Sequence, residues 1–195
     1  MSGNDTSKDD HLIERKVSGE EILKGRFLHA FRDVVKLPDG SQTTREYVIH
    51  PGAVMIIPML DDGRLVMERQ FRYPVGEVMI EFPAGKIDPG EDRLACAKRE
   101  LLEETGYGAT EWALAGVLHP VISYSTEFIE IWFARGLTLH QATLDEGEFL
   151  EVITATPAQV SDWCRDGSIT DAKSLAGALW LQNVLGGAWK LDWQS

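Results

Sequence analysis

Glu100, Glu103 and Glu104 stand at i, i+3 and i+4 in the segment 99–105, RELLEET. Wound at 100° per residue, they share one helix face within an arc of about 100°. Leu94, Ala97 and Leu101 then point the other way, toward a core. Carboxylates crowded on one face repel each other and weaken the helix. A hard divalent cation offsets that repulsion, and Mg²⁺ takes oxygen ligands while keeping positions for substrate phosphates. By itself the segment also fits a solvated acidic face, the usual fate of a charge run. A second acidic stretch, Asp145-Glu146-Gly147-Glu148, precedes a strand-like run. A base that takes a proton from water should lie outside the metal cluster, because coordination occupies the lone pairs of its ligands. Such a base must reach the reacting atom from a loop that can close. Gly147 gives this loop a flexible point. Glu148, at the loop's exit, is the chosen base, with Glu146 the near alternative and a solvated acidic turn the plain one.

The elements that must position these groups follow from periodicity and punctuation. A helix is predicted over about 93–105, stopped by Gly106 as a C-cap. Residues 27–37 and 43–49 read as strands around the turn signal Pro38-Asp39-Gly40. Two apolar runs, 53–60 and 64–71, flank Asp61-Asp62-Gly63 and read as a hairpin of buried strands. Shorter strands are expected at 78–82, 117–118, 128–134 and 149–154. Helices are expected from Pro157 to about Arg165, and from a cap at Thr170 or Asp171 through Leu185. The order of strands, helix, strands and helices predicts an α+β fold in which a mixed β-sheet is sandwiched between helices, an α/β/α layering. Residues 1–24 read as a partly disordered tail, 25–50 as an N-terminal β-meander, and 51–195 as the main domain.

Composition narrows the class. The chain has 195 residues, 44% hydrophobic and 26% charged, enough for one domain with a core. Its formal charge of −12 argues against a nucleic-acid partner. No apolar run is long enough for a bilayer, and the N-terminus lacks a signal-peptide pattern. Cys96 and Cys164 make neither a disulfide framework nor a zinc site, and read as free thiols in a reducing compartment, the cytoplasm. The five histidines show no ligand spacing, and the six tryptophans read as packing residues.

Residues 85–107 read GKIDPGEDRLACAKRELLEETGY. Gly85, Glu91, Arg99, Glu100, Leu101, Glu103, Glu104 and Gly106 match the signature of the Nudix family, with Tyr107 where that signature has an aliphatic residue. The chain resembles that family over roughly Gly25 to Val184. The stretches 70–74 (QFRYP), 81–88 (EFPAGKID), 145–152 (DEGEFLEV) and 167–173 (GSITDAK) look like its ADP-ribose pyrophosphatase branch. The loop 119–127 departs from a Ser-Pro-Gly pattern common there, a position that bears on substrate class.

The resemblance implies a Nudix fold and a metal site held by Glu100, Glu103, Glu104 and the backbone carbonyl of Ala84. The cofactor is Mg²⁺, with Mn²⁺ as a substitute. Arg99 would pair with a neighbouring carboxylate, and Glu91 would give structural support or a water-mediated metal contact. Glu148, Arg99 and Glu103 form the catalytic set. Phe27 (stacking on a base, or packing), Glu46, Arg72 and Glu81 are the substrate-binding set. The implied reaction is hydrolysis of the pyrophosphate bond of a nucleoside diphosphate sugar, ADP-ribose to AMP and ribose 5-phosphate. GDP-mannose and a noncatalytic ADP-ribose sensor are the alternatives. The meander implies a homodimer.

Overall fold

The computed structural model describes residues 8–144 and 147–195; Asp145 and Glu146 lie outside that range, as do residues 1–7 of the expected tail. The chain divides into two compact units. One holds the residues up to His50 together with 121–127; the other holds 51–120 and 128–195.

The first unit is a three-stranded antiparallel meander, β1 (Arg15–Lys24), β2 (His29–Lys36) and β3 (Gln42–Ile49). The turn between β2 and β3 forms where expected. Gly40 takes a φ of 89°, and the Asp39 carboxylate accepts from the backbone N–H and hydroxyl of Ser41. The segment 121–127 joins the unit through β3: the N–H of Val48 donates to the Tyr124 carbonyl, and the N–H of Thr126 to the Val48 carbonyl. Two expectations change here. The tail assigned to 1–24 contains β1, a strand whose residues are all exposed, so no alternation of burial marked it. The segment 121–127, assigned to the main domain, belongs to the meander unit.

The second unit carries two sheets. One has the order β7 (Ala84–Lys86), β4 (Ala53–Pro58), β9 (Ile129–Leu139), β8 (Tyr107–Leu118); β4 and β9 run parallel and the other pairs antiparallel. The other is antiparallel, β10 (Leu150–Ala155), β5 (Leu65–Arg72), β6 (Glu77–Glu81). β4 is buried at every residue because it has a helical layer on each face. Ala53, Met55 and Ile57 pack with Val160 of α2 (Pro157–Asp166) and Leu181 of α3 (Ala172–Leu185). Val54 and Ile56 pack with Cys96, Ala97 and Leu101 of α1 (Arg93–Thr105). Mixed sheet between helices is thus the observed layering.

The expected 53–60/64–71 hairpin is corrected. Only Met59 and Leu65 bridge, and the two strands continue into different sheets. Apolar runs buried on both faces do not specify their partners. β8 also starts ten residues before the expected strand at 117. Among the described residues no helix is long and apolar enough to cross a membrane.

Candidate active site

α1 is placed by its ends. The Asp92 side chain caps the N-terminus by accepting from the N–H groups of Leu94 and Ala95, and Gly106 closes the C-terminus in the left-handed region, φ 73°. Its buried side anchors on the sheet through Cys96, Ala97 and Leu101. That leaves Arg99, Glu100, Glu103 and Glu104 directed at the loop 84–91. Gly85 lets the Glu100 carboxylate lie against the loop backbone. A Cβ there would lie 1.8 Å from the Glu100 carboxyl carbon.

Arg99 is the hub of the loop. Its Nε and Nη2 donate to the two oxygens of Glu91 at 2.8 and 2.9 Å, and Nη1 donates to Glu100 at 2.8 Å and Glu103 at 3.0 Å. This bidentate pairing holds the Glu91 carboxyl down to about 2. Glu91 also accepts the N–H of Asp88, so it closes the loop rather than standing open to a ligand.

Glu104 accepts the N–H of Ala84 at 3.1 Å, which ties the end of α1 to the start of β7. Burial pushes its carboxyl up to about 10, helped by the negative charges of Glu68, Glu100 and Glu148. Burial raises Glu100 too. Glu148 enters from the loop before β10, where its Oε1 accepts from Gln70 Nε2 at 3.2 Å. Four carboxylates from α1, β5 and the β10 loop therefore act on one another.

Beside this cluster, Arg72 at the end of β5 donates Nε and Nη2 to the two oxygens of Glu81 at 2.7 and 2.8 Å. Lys173 in the first turn of α3 also donates to Glu81, and to Asp171 at 3.1 Å. Burial pushes Glu81 up, but Arg72 and Lys173 outweigh it and its pKa lies below the ordinary carboxylate range. Both oxygens of Glu81 are engaged by Arg72 and Lys173, and the residue is 2% exposed. Arg72 Nη1 makes no hydrogen bond among the described residues.

Of the residues singled out from sequence, the second unit brings together Arg72, Glu81, Ala84, Arg99, Glu100, Glu103, Glu104 and Glu148. Phe27 and Glu46 lie in the meander unit. The Phe27 ring is 53% exposed and meets His50 edge-on at 6.0 Å, and Glu46 accepts from Arg32 at 2.6 and 2.8 Å. Glu146, the alternative base, is outside the described residues. The sequence reading missed Glu68 and Lys173 and gave no role to Gln70. Glu68, Gln70 and Arg72 sit at i, i+2 and i+4 in a strand, so they share one face, and that polar stripe was the available signal.

The carboxylates suit a hard divalent cation. Glu68 is fully buried and neither of its oxygens has a hydrogen-bond partner. Leaving a buried acid so placed is costly unless it keeps a proton or a cation joins it. Among the described residues no three acids are already gathered as a coordination sphere.

The model of the NUDIX domain family matches residues 49–176. The chain belongs to the Nudix family. This Nudix chain is 36% identical to the methanol dehydrogenase activator of Bacillus methanolicus, over 87% of its length and 92% of the relative's. It is 33% identical to the ADP-ribose pyrophosphatase of Bacillus subtilis, over 88% and 94%. A crystal structure of an ADP compounds hydrolase superposes with a TM-score of 0.82 at 25% identity, covering 91% of this chain and 97% of the other. These relatives place the chain in the ADP-ribose pyrophosphatase branch, and it is a Nudix hydrolase.

Proposed function

We propose that this Nudix hydrolase cleaves the pyrophosphate bond of ADP-ribose to give AMP and ribose 5-phosphate, with Mg²⁺ as cofactor and Mn²⁺ as a substitute. The carrying observation is the acidic cluster of Glu68, Glu100, Glu104 and Glu148, in which burial, helped by the charges of the other three, raises Glu104 to about 10. Similarity to an ADP-ribose pyrophosphatase supports the substrate.

Glu100, Glu104, Glu103 and the Ala84 carbonyl would hold the cation. When bound, it neutralises the diphosphate and acidifies a water. Arg99 fixes the carboxylates of Glu100 and Glu103, which keeps the site from rearranging as charge builds. Glu148 takes the proton of the attacking water, and Gln70 orients its carboxylate for that task. Water oxygen bonds to phosphorus as the bridging P–O bond breaks, and AMP and the sugar phosphate leave. Arg72, held flat by Glu81, offers Nη1 to a phosphate or ribose oxygen. Phe27 stacks on the adenine and Glu46 adds a polar substrate contact. The enzyme works as a homodimer in the cytoplasm, a compartment that fits its two free cysteines.

A hydrolysis screen over nucleoside diphosphate sugars with Mg²⁺ and product identification tests this. ADP-ribose should have the highest kcat/KM and yield AMP. Preference for another nucleotide sugar, such as GDP-mannose, would reassign the substrate, and no turnover of any would sink the reading.

A further inference from the structure

Among the described residues, three buried acceptor atoms on one strand have nothing to accept from. They are both oxygens of Glu68 and Oε1 of Gln70, all on the same face of β5. The Gln70 amide is oriented by its Nε2 bond to Glu148; turned over, it would press its oxygen against a carboxylate. So Oε1 is fixed facing away from Glu148. Among the described residues Glu68 accepts no hydrogen bond from its neighbours, and the charges of Lys173 and Arg72 offset its burial only in part. Its cross-strand partners are Val152 and Glu81, one apolar and the other a like charge. The two nearby cations, Arg72 and Lys173, are both already bonded to Glu81. Glu68 is also coupled by charge to Glu104 and Glu148, so it faces the acidic cluster and not a separate part of the core.

Buried acceptors without donors are rare in folded proteins, because each forfeits its hydration. A lone acid could escape by keeping a proton. That explains neither the stranded Gln70 oxygen nor the coincidence of both on one face beside Glu104 and Glu148. An oxygen-lined, donor-free face suits a hard divalent cation, which takes carboxylate and amide oxygens together.

We propose that Glu68 and Gln70 Oε1 line a divalent-cation position of their own on β5, adjoining the carboxylates of Glu104 and Glu148. This enlarges the cation site beyond α1, and it rests on reading the acidic cluster as a metal site. The hydrogen bond from Gln70 to Glu148 ties the two positions together.

The test is Mn²⁺ binding to the full chain, read from the free-ion electron paramagnetic resonance signal, with no substrate present. Glu68→Gln should lose one class of bound Mn²⁺, or weaken it by roughly 10–100-fold, as loss of a supporting group does in metal sites. The remaining binding should persist and should fall on Glu104→Gln. Circular dichroism checks the fold of each variant, and Glu68→Val, apolar and suited to a buried strand, replaces any Gln variant that does not fold. Wild-type stoichiometry and affinity in the folded Glu68 variant would overturn the inference and leave Glu68 a protonated core acid. If wild type itself binds no Mn²⁺, the metal reading of the whole site fails first, and the inference with it.

Discussion

Glu104 carries the heaviest electrostatic load of the site, and its pH behaviour follows. An unperturbed glutamate titrates near 4.5, whereas burial and neighbouring acids push Glu68 up to about 7 and Glu104 to about 10. Between those values the native chain holds more protons than the unfolded one. The stability of the metal-free protein should therefore fall as pH rises from about 5 to about 8. Glu91, held down to about 2, acts with the opposite sign, but only below about 4.5. Metal-free melts should give a lower Tm at the higher pH, and Mg²⁺ should narrow the gap; a higher Tm there would contradict the repulsion. In turnover, Glu100→Gln or Glu104→Gln should lower kcat by orders of magnitude with the fold intact, measured against Mg²⁺ concentration. Near-normal kcat in both would remove them from the metal site. Glu148→Gln should cut kcat by roughly 10²–10⁴ while substrate still binds. Glu146→Gln run alongside decides between the two carboxylates: loss there alone would move the base.

Among the elements, α1 was the most legible, since apolar spacing and a terminal glycine agree on its bounds; the Asp92 cap was found only in the structure. Its acidic face was legible for the same reason. Other elements were hidden where local signals carry less. β1 shows no burial alternation, and the start of β8 (YGATEWALAG) mixes Ala and Gly into a strand that only pairing with β9 reveals. Glu68 escaped notice because 64–71 read as one buried strand and its single acid was given no role, although it is buried with the apolar residues before it. Gly85 gives a test at this scale. Gly85→Ala should keep helix content but push Glu100 out of position, lowering kcat about 10²-fold. Unchanged kcat would show that the loop can yield without loss.

For the molecule as a whole, the meander unit is the part that asks for a partner. Its three strands bury only Asp33 and Val35, while Val17, Ile22, Leu23 and Ile49 stand exposed. A three-stranded sheet needs a covered apolar face to be stable. Light scattering should give a dimer mass, and a fully active monomer at micromolar concentration would exclude a shared site. Phe27→Ala should raise KM with little change in kcat, since base contacts are alike in ground and transition states. An unchanged KM would return the ring to packing.

The path of the chain through the meander unit also sets an order of events during synthesis. His50 bonds to Thr126, 76 residues further on. The three strands leave the ribosome first, yet the segment that finishes their unit emerges only after β4 to β8 have been made. The early strands must therefore wait, half-built and with apolar side chains in water, while the chain between them is translated. A nascent chain arrested before residue 121 should hold the meander open to protease, and one arrested well past 127 should protect it.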